Sequence, residues 1–545
     1  MLLNDSALLT EAHRPADTSV EILEVTVGQL LVDRAATHAD TLALVGTRHG
    51  DHAPVRLTYA ELLDEALRVA TALRTMVEPG AYVAIWAPNV VEWPVIEYGA
   101  ALAGVVLVAL NPVLRAGELD YAIGHSGAQV LLHADRSREY DMSTVAQDLA
   151  AHHPGLTRIS LSDRERWRSD VVDPRVLVEA PTDPDAVVML QYTSGTTSTP
   201  KGVVLRHRSL VNVARLTLDA VGVERGAVAV NPLPMFHTAA CVIGTLGPLW
   251  TGGTVVLVEQ FDPRTVLGLL RAESASVLFY VPAVLSAIIE AQRGSDAPAP
   301  QLAVVMGGAS TVTARMIADA RELFGASVIN LYGMTELSPV VSATRPDDTQ
   351  DDQVETVGRP LPQVECKIVD PVTGESCACD ETGEICARGY QRFVEYLDDP
   401  DATAGTIDAD GFVHTGDLGA MDARGYLRIT GRLKEMIIRG GENIAPAEIE
   451  TCLARHPSVL SATVVGLPDE RLGEVVAAVI TVRGDEPVDL REQLVAHVRE
   501  HLSPHKCPTR WFIGDELPVT PTGKVRKFEL VSRLGRGEFG ELPDT

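Results

Sequence analysis

Gln191-Tyr192-Thr193-Ser194-Gly195-Thr196-Thr197-Ser198-Thr199-Pro200-Lys201-Gly202 follows a short apolar run, Ala186-Val187-Val188-Met189-Leu190, of the kind that forms a buried strand. Six consecutive small or hydroxyl residues, Thr193 to Ser198, lead into Thr199-Pro200-Lys201-Gly202. The stretch offers free backbone N–H groups, several hydroxyls and one ammonium. These suit an oligophosphate, because a curved run of amides makes an anion-binding concavity and Lys adds a point charge. It is not the common P-loop, which needs Gly directly before the Lys and Ser or Thr directly after it. Here Pro200 precedes Lys201 and Gly202 follows it. A flexible Ser/Thr-rich surface loop is the competing reading of such composition, and the context on either side has to decide.

On the N-terminal side, residues 1 to about 55 read as irregular, with one helix-like run near Val27 to Ala36. Thr58-x-x-Glu61 is a capping box that opens a helix with Leu62, Leu63, Ala66, Leu67, Ala70 and Leu73 on one face. Strand patterns follow at Tyr82–Trp86, 105–110 and 130–133. Beyond the loop they recur at 228–230, 254–258, 277–281, 303–306 and 328–331, alternating with helical patterns throughout. Such alternation predicts parallel sheets covered by helices, a large α/β N-terminal domain. After Val340 the texture changes to short, turn-punctuated strands such as 365–369 and 383–387, predicting a small β-rich subdomain over about 341–433. The last unit, 435–545, opens on a Gly-rich loop. It continues with a helix carrying Pro446 near its first turn, strands at 463–466 and 476–482, and a helix around 490–502. That makes a small α+β C-terminal domain of sufficient length to fold independently.

With 545 residues the chain is too long for one core. Its formal net charge of −28 argues against a nucleic-acid partner and against docking on anionic lipid. Anionic substrates must be held by local groups against that field. The first twenty residues carry charges and lack an apolar core segment. The longest apolar run, Gly99 to Leu110, is too short to span a bilayer and reads as a helix end leading into a buried strand. The seven cysteines, an odd number, point to reduced thiols in a cytoplasmic protein. Cys377-Ala-Cys379 with Cys386 nearby has neither a Cys-x-x-Cys pair nor a flanking His, so zinc is not expected there.

Further chemistry-bearing segments stand at strand ends. Gly307-Gly308-Ala309-Ser310 and Asn330-Leu331-Tyr332-Gly333-Met334-Thr335-Glu336 each follow a predicted strand, where open α/β sheets place ligands. His414-Thr415-Gly416-Asp417 supplies a carboxylate. Tyr426-Leu427-Arg428-Ile429-Thr430-Gly431-Arg432-Leu433-Lys434, Arg439-Gly440-Gly441-Glu442 and Pro521-Thr522-Gly523-Lys524 complete the set. Taken singly, each reads equally as a turn or a solvated surface residue.

Taken together, they resemble the adenylate-forming (ANL) superfamily, of acyl-CoA synthetases, amino-acid adenylation domains and luciferases. The signature loop is Tyr-Thr-Ser-Gly-Thr-Thr-x-x-Pro-Lys-Gly, with Ser198 where that family usually has Gly. The matching segments span about 190 to 530. The resemblance implies ATP, Mg²⁺ and CoA as cofactor and co-substrates. ATP would contact Thr193, Ser194, Gly195, Thr196, Thr197, Ser198, Lys201, Gly308, Ala309, Ser310, Asn330, Leu331, Gly333, Met334 and Ile429. Tyr332 would stack on adenine and Thr335 would contact the α-phosphate. Glu336 would help hold Mg²⁺, Asp417 would accept the ribose hydroxyls with Arg432 and Tyr426 nearby, and Lys524 would act in adenylation. Lys434 matches the hinge, placing the N-terminal domain at 1–433 and a mobile C-terminal domain at 435–545. Arg439, Gly440, Gly441 and Glu442 would meet CoA.

The segment Phe236-His237 matches the position beside the acyl carboxylate, with His237 among the catalytic residues. Amino-acid-activating relatives carry Asp there, so an α-amino acid is disfavoured. Small residues at Ala239, Ala240, Gly244, Gly307, Gly308 and Gly333 predict a roomy apolar acyl pocket, and thus a bulky or medium-to-long apolar acid. The implied activity is ATP-dependent acid–CoA ligation through an acyl-adenylate. Loading of a carrier-protein thiol is the nearest alternative, and a nucleotide binder without catalysis is the alternative from another class. A homodimer stays open.

Overall fold

Short Val/Ile/Leu runs that are buried on both faces need helices above and below them, and parallel βαβ connections supply both. The computed structural model describes residues 8–543 other than 52, 194–199, 311, 440–441, 470, 484–486, 488, 515 and 520–524. It gathers the N-terminal runs into two sheets. One has the order Lys201–Arg206, Val187–Thr193, Val106–Leu110, Tyr82–Trp86, Val130–His133, Thr157–Ser160, and only Lys201–Arg206 runs antiparallel to its neighbour. The other has nine strands. Ser327–Tyr332, Val304–Gly308, Val277–Tyr280, Val228–Asn231, Thr254–Leu257 and Leu42–Thr47 form its parallel body. Antiparallel strands close both edges: Ser342–Ala343 with Arg359–Pro360 on one side and Pro54–Thr58 on the other.

The expected mixed α/β architecture is present, and the strands read from sequence recur within a few residues of their expected bounds. The capping box is also there: the Thr58 side chain accepts from Glu61 N–H, Glu61 Oε2 accepts from Thr58 N–H at 2.8 Å, and the helix runs Tyr59–Met76. Leu62, Ala66, Leu67, Ala70 and Leu73 are buried on it, whereas Leu63 is half-buried. Helix Glu92–Ala103 ends at Gly104, with φ +77°, and leads into the strand Val106–Leu110.

Two expectations need correction. The stretch before residue 55 is not irregular, because Leu42–Thr47 is a buried parallel strand beside Thr254–Leu257. Its apolar core, Leu42-Ala43-Leu44-Val45, is too short to show a period, and its burial comes from a neighbour more than two hundred residues away. The segment expected to be β-rich also carries a helix, Gln350–Glu355, where Thr349 caps the first turn and Asp351 and Asp352 suit its positive end.

The chain divides into two units, Arg14–Cys366 with Ala387–Val413, and Leu8–His13 with Lys367–Cys386 and His414–Thr545. A five-stranded sheet has the order His13–Arg14, Val364–Val369, Gly383–Gly389, Val413–Met421, Leu427–Arg432. The remainder of the second unit is built on the long strand Gly473–Val482. This strand pairs with Val459–Asp469, Ile437–Arg439 and Arg510–Ile513. Helices Pro446–Ala454 and Leu490–His501 cover one face through Ile449, Leu453, Leu494 and Val498. Helix Lys527–Gly535 covers the other through Leu530 and Leu534.

Candidate active site

In the first unit, strands Val187–Thr193 and Lys201–Arg206 pair with Thr193 opposite Lys201, so the two ends of the hydroxyl-rich loop are fixed in register. Ser194, Gly195, Thr196, Thr197 and Ser198 lie outside the described residues. Lys201 Nζ stands 4.5 Å over the Tyr396 ring, a cation–π position. The Tyr396 hydroxyl donates to Glu336 Oε1 at 2.7 Å, and Phe393 N–H donates to the Glu336 carbonyl at 2.8 Å. Glu336 is only 6% exposed, on the short turn Thr335–Leu337. The carboxylate and the loop lysine singled out by sequence are thus joined by one phenol that the sequence did not single out. Burial, followed by the Glu336 charge, pushes the Tyr396 phenol well above its ordinary pKa, so it stays a donor.

Strands Val304–Gly308 and Ser327–Tyr332 are parallel neighbours, with Gly307 opposite Asn330 and Gly308 opposite Leu331. Their carboxyl ends therefore open side by side, and Ala309, Ser310 and Gly333 beyond them are exposed. Tyr332, Met334 and Thr335 are half-exposed. Ala309 adopts φ +73°, a left-handed conformation for a residue with a Cβ, which costs of order 1 kcal/mol.

The glycines among the small residues are closely packed. A Cβ on Gly307 would overlap the Tyr280 carbonyl, one on Gly308 the Leu331 carbonyl, and one on Gly333 the Pro339 carbonyl. A Cβ on Gly244 would overlap the Asn231 side chain. Close backbone and side-chain packing thus requires glycine at each of these positions. Ala239 is exposed while Ala240 is buried, on the π-helix Ala239–Leu246, so the two do not share a face. His237 is half-buried, its ring 4.2 Å from that of Phe236.

In the second unit, Asp417 on the strand Val413–Met421 lies directly opposite Arg432 on Leu427–Arg432, and Arg432 Nε approaches Asp417 Oδ1 to 2.8 Å. The turn before Asp417 is held from below. Glu384 Oε1 accepts Gly416 N–H at 2.9 Å and Glu384 Oε2 meets His414 Nδ1 at 2.7 Å, while Thr415 Oγ1 donates to the Ile385 carbonyl. Cys386 Sγ is 3.5 Å from the same His414 nitrogen. Glu384 escaped the sequence reading, and the one signal it leaves is a carboxylate just before the apolar run Ile385-Cys386-Ala387. Ile429 is 37% exposed, whereas Tyr426 is buried with Arg424 over its ring at 4.6 Å. Lys434 sits on the short turn Leu433–Glu435. Arg439 donates to the His505 carbonyl at 2.7 Å, and its strand pairs with the one that begins at Glu442. Gly440, Gly441 and Lys524 lie outside the described residues. Among those described, no helix is long and apolar enough to cross a membrane.

Comparison with known proteins identifies the family. The model of the AMP-binding enzyme family matches residues 31–397, and that of the AMP-binding enzyme C-terminal domain matches 448–524. Feruloyl-CoA synthase of Amycolatopsis sp is 36% identical over 493 residues, covering 90% of this chain and 95% of its own length. The mitochondrial medium-chain acyl-CoA ligase ACSF2 of Rattus norvegicus is 30% identical over 557 residues, covering 95% of this chain and 89% of its own. Among solved structures, o-succinylbenzoate CoA synthetase (MenE) from Bacillus subtilis, in complex with the acyl-adenylate intermediate OSB-AMP, superposes with a TM-score of 0.79 at 26% identity. That match covers 92% of this chain and 97% of the other. The chain belongs to the AMP-binding enzyme family and is an acyl-CoA synthetase, joining a carboxylic acid to CoA with ATP through an acyl-adenylate.

Proposed function

We propose that ATP lies with its triphosphate in the loop between Thr193 and Lys201 and its adenine against Tyr332 and the adjoining strand ends at Gly308–Ser310 and Asn330–Met334. Its ribose hydroxyls would meet Asp417, with Arg432 and Ile429 beside them. The observation that carries this reading is the Lys201–Tyr396–Glu336 arrangement beside two open strand ends. Magnesium fits the donor chemistry there, since a hard cation prefers carboxylate and phosphate oxygens and Glu336 is a nearly buried carboxylate held in place by Tyr396. Bound to Glu336, it would neutralise phosphate charge.

The acid's carboxylate oxygen attacks the α-phosphorus, the bond to the bridging oxygen breaks, and pyrophosphate leaves. Thr335 and Lys524 face the charge that builds on the non-bridging oxygens; loss of one such preorganised contact costs about 3–4 kcal/mol. The CoA thiol then attacks the acyl carbonyl, its proton is lost to solvent and AMP departs, with Arg439–Glu442 against the pantetheine arm. The C-terminal domain turns about Lys434 between the two steps, so Lys524 serves only the first. The acid is apolar and lacks an α-ammonium: His237 stands where a carboxylate would be needed to pair one, and relatives are named for ferulate and for medium-chain acids.

Lys524→Ala tests the roles. Acid-dependent ATP–pyrophosphate exchange is expected to collapse by about 10²-fold or more, while thioester formation from supplied acyl-adenylate and CoA persists. Equal loss of both would overturn the division of labour. Thioester release from a panel of aromatic and medium-chain acids, with free CoA as the only thiol, identifies the acid. Transfer to a carrier protein but not to CoA would overturn the acceptor.

A further inference from the structure

The C-terminal part of the chain brings together three side chains that the ligase reaction does not use. Cys452 lies on helix Pro446–Ala454, while His497 and His501 lie on helix Leu490–His501. A spacing of four residues puts both imidazoles on one helix face, the arrangement by which paired histidines bind zinc. One ligating atom from each of Cys452, His497 and His501 lies within 4.8 Å of the other two.

Each imidazole has one nitrogen already committed. His497 Nε2 donates to the Cys452 carbonyl at 2.9 Å and His501 Nδ1 donates to the His497 carbonyl at 2.8 Å. Metal-ligating histidines ordinarily make such outer bonds, which fix the ring and its tautomer. An ion takes either the second nitrogen of each ring or the present one in exchange for its carbonyl bond. The Cys452 side is buried and the His501 side is exposed, so an ion enters from solvent and finds the sulfur at the bottom. Coordination by sulfur expels the thiol proton to solvent.

We propose that Cys452, His497 and His501 form a site for a thiophilic divalent transition-metal ion, Zn²⁺ foremost, with a fourth position open to water. One thiolate and two imidazoles suit zinc and exclude Mg²⁺ and Ca²⁺, which take oxygen ligands. The ion bridges the two helices that cover one face of the C-terminal sheet, so binding stabilises that region by mass action.

The test uses the full-length, tag-free chain, stripped with a chelator and titrated with Co²⁺ in the absence of nucleotide. The expected result is a thiolate-to-cobalt charge-transfer band that saturates at about one equivalent and is displaced by Zn²⁺. Cys452→Ser abolishes the band. His501→Ala, at an exposed position, weakens binding by at least about tenfold while acid-dependent pyrophosphate exchange and the circular dichroism spectrum stay unchanged. Absence of the band in the parent chain overturns the proposal. So does a band that persists unaltered in both variants, which would place the ion at another thiol, such as Cys386 beside Glu384 and His414.

Discussion

At the scale of single residues, Glu336 was legible because it closes a motif, but the phenol that orients it is sixty residues downstream and carries no local mark. Tyr396→Phe tests that phenol: the ring under Lys201 stays, while the donor to Glu336 and the bond with Thr406 are lost. A hydrogen bond to a charged group is worth about 1.5–3 kcal/mol. Pyrophosphate exchange is therefore expected to fall by about ten- to a hundredfold, with more Mg²⁺ needed for half-maximal rate, and a titration of exchange against Mg²⁺ reads both. An unchanged Mg²⁺ dependence would separate Tyr396 from the metal. His207 offers a residue-scale pH effect. It is 2% exposed, Val27 N–H donates to its Nδ1 at 3.2 Å, and burial lowers its pKa from 6.5 to about 4. The unfolded chain binds that proton at higher pH than the folded one, so stability is full above 6.5 and falls as pH drops through the window to 4. One such group removes about 3 kcal/mol across it. Urea unfolding at several pH values should show this loss in the parent chain and a flatter profile in His207→Asn, whose amide can still accept from Val27.

Among the elements, the parallel strands and the capped helix Tyr59–Met76 were readable because each carries its own signal, an apolar run in one case and Thr58 with Glu61 in the other. Leu42–Thr47 was not, since four apolar residues have no measurable period and only the partner strand Thr254–Leu257 makes them a strand. The glycines at the strand ends show the opposite failure. Their place at strand ends is plain, but sequence cannot tell a backbone that must approach a ligand from one that must approach its neighbour. Gly308→Ala distinguishes the two. Its Cβ would overlap the Leu331 carbonyl across the parallel pair, and strain of that kind costs about 1–3 kcal/mol. The expected outcome is a lower urea midpoint with an unchanged slope in the absence of ATP. A variant of parental stability but raised KM for ATP would restore the ligand-approach explanation.

For the molecule as a whole, the sequence offered candidate parts of the site but not the supports behind them. Asp417 and Arg432 belong to motifs, whereas Glu384, which holds the turn before Asp417, acts through bonds to Gly416 and His414 some thirty residues on. Supports of this kind are set by register between strands, which no single segment encodes. The same limit applies to the proposed alternation between half-reactions, which rests on one short turn, Leu433–Glu435, after the strand Leu427–Arg432. Proline at position 434 fixes its own φ near −65° and restricts Leu433 before it. The junction is then confined to one conformation, while Lys434→Ala leaves it free. In Lys434→Pro one half-reaction is therefore expected to survive near the parental rate while the other falls by at least about tenfold, ~1.4 kcal/mol of barrier. Pyrophosphate exchange and single-turnover thioester formation from supplied acyl-adenylate measure the two separately. Equal decline of both in the proline variant, matched by the alanine variant, would mean that the side chain and not the rotation is what matters at this position.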